Sequence, residues 1–255
     1  MLIDRIESYL NGVGKDIDQA LLDEVGSLSL RAFKRQFGVR PASSPTLRLS
    51  SIGRCPRQQS YTILGFSQNG KEIDARAKMV FFQGDLVELA IIGLLKVVGC
   101  DVSSAQETIH FEGVEGHPDG IYNDLSGRYL LEVKSMSSYS FSDFQKGVID
   151  DGYRWQINSY LKALGLNKCV MIGLNKDAGV LHEIIIEKDE QIIKRIKETI
   201  QVIKKATKEN LPPRPYGPDA KGFYPWQCLY CQFRGECLPN ASLVLEKNKY
   251  RLKNV

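Results

Sequence analysis

A chain of 255 residues, 43% of them hydrophobic and 25% charged, is long enough to bury a sizeable core as one large domain or two small ones. A net charge of +4 excludes binding of nucleic acid through bulk positive charge and leaves that task to a local basic channel. No apolar run reaches the ~20 residues of a membrane span, the nearest, 90–98, being broken by Gly93 and Lys96.

The first ten residues carry Asp4, Arg5 and Glu7 and lack the apolar centre of a secretory leader, so a cytoplasmic protein without membrane partners is expected. Helices are predicted over 2–10 and 16–37, then a connector over 40–48 punctuated by Pro41 and Pro45. A short helix over 51–64 carries Cys55. A long helix over 74–98 has Met79, Phe82, Leu86, Leu89, Gly93 and Val97 at roughly helical spacing. Strands follow near 107–111, 117–122 and 128–134, then a polar, aromatic loop or short helix over 135–146. A helix over 153–164, strands over 169–174 and 181–186, and a helix over 190–208 with Ile192, Ile196, Ile200 and Ile203 inward complete the pattern. The segment 211–218 holds four of the ten prolines and reads as an extended linker. This order predicts an α/β protein with helices on both sides of a sheet. Three regions follow: a helical N-terminal region 1–73, a core 74–210, and a linker with a cysteine cluster, 211–255, that packs with the N-terminal region.

The chemistry concentrates in Gly116-His117-Pro118-Asp119-Gly120 and Leu131-Glu132-Val133-Lys134-Ser135. Alternate side chains of a strand share a face, so Glu132 and Lys134 point one way while Leu131 and Val133 pack into a core. Either segment alone is usually a solvated sheet edge. The apolar surroundings of Glu132 favour a central strand, where a charge is costly unless paired or metal-bound. Two carboxylates and an ammonium around one point suit Mg²⁺ or Mn²⁺ and the hydrolysis of a phosphodiester.

These residues resemble the PD-(D/E)XK nuclease superfamily, whose name spells Pro118-Asp119 and Glu132-x-Lys134. Gln156 and Tyr160, four apart and so on one helix face, are similar to the Gln-x-x-x-Tyr helix of the RecB-like branch. The resemblance implies a restriction-endonuclease-like core, a mixed sheet flanked by helices, with this face bordering the active site. It implies that Asp119, Glu132 and the backbone carbonyl of Val133 hold the metal. Lys134 would orient water and stabilise charge on the phosphate. Relatives often carry Gly-x-x-x-His on the long helix. Here Gly84 is followed by Glu88, a carboxylate that would ligate Mg²⁺ or Mn²⁺, or else a surface residue paired with a lysine.

Cys228, Cys231 and Cys237 form a C-x2-C-x5-C cluster that lacks a later Cys or His. Spacing alone leaves zinc and iron–sulfur open, while a reducing cytoplasm disfavours disulfides. Cys55, in Arg54-Cys55-Pro56-Arg57, is the candidate fourth ligand. One cysteine upstream plus a C-terminal triplet resembles the iron–sulfur RecB-type exonucleases, the AddB nuclease domain and small CRISPR-associated exonucleases among them. That resemblance implies a 4Fe-4S cluster on Cys55, Cys228, Cys231 and Cys237. Cys100 and Cys169 read as buried structural thiols.

The expected function is a Mg²⁺- or Mn²⁺-dependent DNA exonuclease, able in principle to act as an endonuclease. Its substrate would be single-stranded DNA or DNA ends, in recombination, repair, phage or CRISPR-type processing in a bacterial, archaeal or phage-infected cell. A homo-oligomer or a recombination or adaptation protein partner is compatible with this. The alternative is a non-catalytic, cluster- or zinc-bearing DNA-binding protein on a nuclease fold. DNA contacts are assigned to Arg54, Arg57, His117, Tyr139 and Tyr153, against plain packing or solvation for most of them. Lys194, Arg195, Lys197, Lys204, Lys205 and Lys208 give the last long helix a basic, solvated side.

Overall fold

The computed structural model describes residues 1–12, 16–39, 45–68, 74–103, 108–246 and 249–254. In chain order its helices are α1 (Leu2–Leu10), α2 (Gln19–Phe37), α3 (Pro56–Ile63), α4 (Ala75–Val97), α5 (Ser138–Gln145), α6 (Asp151–Leu164), α7 (Glu190–Lys204), α8 (Trp226–Leu229) and α9 (Arg234–Cys237). Its strands are β1 (Asp101–Ser103), β2 (Ile109–Phe111), β3 (Val114–Gly116), β4 (Gly120–Asp124), β5 (Gly127–Met136), β6 (Lys168–Asn175), β7 (Val180–Glu187), β8 (Ala241–Glu246) and β9 (Lys249–Asn254). The described residues of Met1–Ala42, Arg48–Gly53 and Ala75–Ile196 form one compact unit, and those of Ser43–Leu47, Arg54–Asp74 and Lys197–Val255 a second.

The first unit is a mixed α/β fold. Its five-stranded sheet runs β1-β4-β5-β6-β7, with β5 and β6 parallel and every other pairing antiparallel. A parallel pair needs a long crossover, and α5 and α6 supply it between β5 and β6. Strand β5 is therefore central. Leu131 and Val133 of β5 enter a core with Val170 and Ile172 of β6 and with Ile91, Ile92 and Leu95 of α4. Leu2, Ile3 and Ile6 of α1 close the same layer. The opposite face of β5 carries Glu132 and Lys134, as strand alternation demands.

Helix α6 lies on that second face, and local chemistry fixes both of its ends. The Asp150 carboxylate accepts from the Gly152 amide at 2.8 Å at its start. Gly165, with φ of 66°, terminates it in the left-handed region that favours glycine. Close approach of the β2–β3 hairpin positions Tyr160 from below: a Cβ on Gly116 would lie 2.6 Å from the Tyr160 ring and 3.0 Å from Leu49.

In the second unit, α3 follows Cys55 with Pro56 in its first turn. Tyr61 of this helix stacks on Phe233, with ring centroids 5.4 Å apart. The chain from 211 to 219 forms neither helix nor strand, and β8 and β9 pair as an antiparallel hairpin.

Several expectations need correction. Strand β4 starts at Gly120, not at residue 117, because Pro118 has no N–H to give a ladder. Cys55 precedes α3 instead of lying inside a helix. In α4 the buried residues are Leu89, Ile91, Ile92, Gly93 and Leu95, while Met79 and Leu86 are exposed, because apolar side chains surround this helix on all sides. In α7, Ile193 replaces Ile192 on the inward face. Strands β1 and β3, of three residues each, are too short to show a period, and β8 and β9 are half polar. Residue 107 and much of the connector over 40–48 lie outside the described residues.

Candidate active site

Glu132 is fully buried at the centre of the sheet. A carboxylate at that depth costs several kcal/mol unless donors surround it, of order 3–5 kcal/mol when a partner is removed. Its Oε1 atom accepts from two: the Lys134 ammonium, from the same face of β5, and the Gln156 amide of α6 at 2.9 Å. The Gln156 amide also lies 3.4 Å from the Tyr160 hydroxyl. The other oxygen, Oε2, is buried and has no hydrogen-bond partner among the described residues.

Asp119 sits one residue before β4 and is tied to β5 by its Oδ2 atom, which accepts from the Val133 amide at 2.8 Å. The same oxygen is 3.9 Å from the Lys134 ammonium. The two carboxylates thus converge on one lysine, as the alternation of Glu132 and Lys134 predicts. Tyr153 of α6 offers its ring face to the Lys134 ammonium, 5.5 Å from the ring centroid.

Glu88 of α4 is the third acid in reach. Burial first, then the Asp119 charge, push its pKa up to about 8. Burial, and again Asp119, lift Glu132 to about 7, against the pull of Lys134. For Lys134, burial works downward, but the charges of Glu132 and Asp119 outweigh it and hold the ammonium protonated well beyond neutrality. Three acids therefore crowd one lysine, and two of them sit near the point of taking up a proton.

A cavity of about 180 Å³ opens beside these acids, between α2 and α4. Glu88, Asp119, His117 and Arg35 line its polar side, and Leu21, Val25, Leu89 and Ile92 its apolar side. Arg35 of α2 was not evident from the sequence. Its guanidinium meets Asp85 of α4 at 2.5 Å, and Gln36 donates to the other Asp85 oxygen at 2.9 Å. The contact with Asp85, and to a lesser degree the charges of Glu88 and Asp119, raise the Arg35 pKa against the effect of burial. The available signal was Asp85 in the Gly84–Glu88 stretch, on a turn of α4 that Arg35 faces only once α2 and α4 pack. Cys169 of β6 is buried, as expected. Its fully buried thiol is held far from ionisation by burial, and then by the Glu132 and Asp119 charges.

The expected DNA contacts are scattered. His117 lines the cavity with Nε2 3.3 Å from the Thr108 hydroxyl. Tyr139 is 82% exposed on α5, whereas Phe141 and Phe144 are core residues. Their rings meet His182 edge-on. Arg195 lies over the Trp155 ring at 5.3 Å. In the second unit Arg54 is exposed, while Arg57 donates to the Pro212 carbonyl at 2.7 Å and to the Tyr61 hydroxyl at 3.2 Å.

All six cysteines are free, and Cys100 and Cys169 are buried. The Cys228 thiol is pushed up to about 11 by burial and then by the neighbouring Cys237, Cys55 and Cys231 sulfurs. The four thiols of the second unit therefore lie within electrostatic reach of one another. Among the described residues, however, no three His, Cys, Asp or Glu side chains are disposed to hold a metal ion, at these thiols or at the three acids. Cys55 precedes α3, and Cys228 and Cys237 lie on separate one-turn helices.

No protein-family model and no curated protein matches the sequence. Exonucleases do appear among its structural neighbours. The chain is similar to an alkaline exonuclease from Laribacter hongkongensis, at 17% identity and a TM-score of 0.48, over 67% of this chain and 90% of that one. It is similar to SSO0001 at 20% identity and a TM-score of 0.47, over 82% of this chain and 94% of that one. A phage-related exonuclease from Haemophilus somnus 129PT shares 16% identity with a TM-score of 0.36, over 79% of this chain and 91% of that one. Among the described residues no helix is long and apolar enough to cross a membrane.

Proposed function

We propose that the chain is a Mg²⁺- or Mn²⁺-dependent deoxyribonuclease that hydrolyses phosphodiester bonds as an exonuclease, on single-stranded DNA or DNA ends. The observation that carries this reading is the Oε2 atom of Glu132, buried and without a donor among the described residues, beside a second carboxylate and a lysine. A purely structural carboxylate at full burial satisfies both oxygens. Hard oxygen donors of this kind fit a small divalent cation.

Glu88, Asp119, Glu132 and the carbonyl of Val133 would hold the metal, which when bound neutralises the scissile phosphate and makes water a better nucleophile. Lys134 stays cationic, so its role is to orient the attacking water and stabilise charge growing on the phosphate oxygens, not to accept a proton. Gln156 fixes the Glu132 carboxylate from α6, and Tyr160 stands behind Gln156. The RecB-like subtype, with a 4Fe-4S cluster on Cys55, Cys228, Cys231 and Cys237, belongs to the same proposal. It is supported by four free thiols whose charges act on one another. So do the restriction-endonuclease-like core and a place in recombination, repair, phage or CRISPR-type DNA processing.

The test is digestion of end-labelled linear and circular single-stranded DNA with Mg²⁺ or Mn²⁺, wild type beside Lys134→Ala. Loss of label from linear DNA by the wild type alone is expected. Equal degradation by both proteins, or none by either, overturns the assignment. Cleavage of circles would assign endonuclease activity to the same site.

A further inference from the structure

The C-terminal half of α2 and the N-terminal half of α4 are both basic. Residues 29–39 and 75–84 contain five cationic side chains and no acidic one. The helices run antiparallel here, since Arg35 meets Asp85 while Lys96 meets Glu24 at their other ends. Between the cations Phe33, Phe37 and Phe82 form a cluster, with ring centroids 5.0, 5.8 and 5.1 Å apart. This cluster is not core: Phe33 is 53% exposed and Phe37 39%. Lys34, Arg76 and Lys78 are exposed around it. Exposed apolar rings on a helix pair are costly to maintain in water unless a partner covers them.

We propose that this aromatic and basic surface of α2 and α4 is a stacking platform for the unpaired strand of the DNA substrate. Rings interleaved with cations fit a polyanion whose bases are free to stack, and a basic face repels a basic-rimmed protein partner. The platform leads directly to the acids: Asp85, gripped by Arg35, lies one helical turn before Glu88. Bases would lie on Phe33 and Phe37 while Lys34, Arg76 and Lys78 take phosphates. The inference rests on the deoxyribonuclease reading and gives its substrate a strandedness.

The test is fluorescence anisotropy of two labelled strands of equal length, an oligothymidylate and a fully abasic strand, in EDTA with strand integrity checked on a gel. The wild type is expected to favour the base-bearing strand, and Phe33→Ala with Phe37→Ala to lose about tenfold on that strand only. Lys34→Gln with Lys78→Gln should weaken both strands alike and reduce the salt slope by about 0.7 per lost contact. Equal binding of thymidylate by the wild type and the phenylalanine variant overturns the platform, as does equal loss on both strands. A wild-type dimer that the phenylalanine variant abolishes, with strand binding unchanged, also overturns it by assigning the surface to a second copy. Base-dependent binding with no cleavage when Mn²⁺ is added would sink the nuclease reading and leave the platform standing.

Discussion

The side-chain amide of Gln156 donates to Glu132 Oε1 at 2.9 Å, joining a helix and a strand that are consecutive across α5 in the same crossover. This contact orients the buried acid from outside the sheet. Gln156→Leu should lower the apparent affinity for Mn²⁺ and reduce turnover by about 10–100-fold. Gln156→Glu should be worse, because it sets another carboxylate beside Glu132. A metal titration of activity that is unchanged in Gln156→Leu would contradict this role.

Lys134→Ala should reduce turnover by about 10²–10³-fold while leaving DNA affinity nearly unchanged, as expected for a donor that acts on charge developing during reaction. Lys134→Arg should recover only part of the loss, since a planar guanidinium does not match a point charge between two carboxylates. Single-turnover kinetics separate the two effects.

The crowded acids make the metal-free protein sensitive to pH in a defined direction. The folded pKa values of Glu132 and Glu88 lie at about 7 and about 8, above those of an unfolded chain. The native state therefore binds more protons in between, and stability falls as pH rises. Their contribution is complete below the usual carboxylate range and lost as pH passes through 7 to 8. The melting temperature of the metal-free protein should decline from pH 5 to pH 8.5, and Glu88→Gln should flatten the decline. A rising melting temperature over that interval would be the opposite sign.

Gly116→Ala tests the support of Tyr160. The added Cβ would lie 2.6 Å from a fully packed ring, with Leu49 closing the other side. Overpacking of this kind costs about 1–3 kcal/mol, so denaturant unfolding should show a lower midpoint at an unchanged slope. Activity should fall further than stability explains, because Tyr160 backs Gln156.

For the second unit, anaerobic purification should give a brown protein containing iron and sulfide, and Cys228→Ser should lose the colour. A colourless wild type with one zinc would replace the cluster with a zinc site.

The site was legible where its chemistry follows chain order. Glu132 and Lys134 share a face because they are two apart on a strand, and the apolar residues between and beside them announced a central strand. Gln156 and Tyr160 were legible through helical spacing. Asp119 was legible as a residue but not as part of a strand, because Pro118 delays the ladder until Gly120. Arg35 could not be read from the sequence: its relation to Asp85 exists only through the packing of α2 on α4. The period assigned to α4 failed for a related reason. A helix apolar on several faces has no single stripe, so Met79 and Leu86 fit the spacing and still face solvent.

The link from the Val133 amide to Asp119 has a mechanical consequence. Asp119 is leashed to the very strand from which Glu132 projects, so a flexing sheet carries both acids along as one body. Glu88, mounted on a separate helix, has no such tether among the described residues, and any breathing of the cleft would be felt first at its carboxylate.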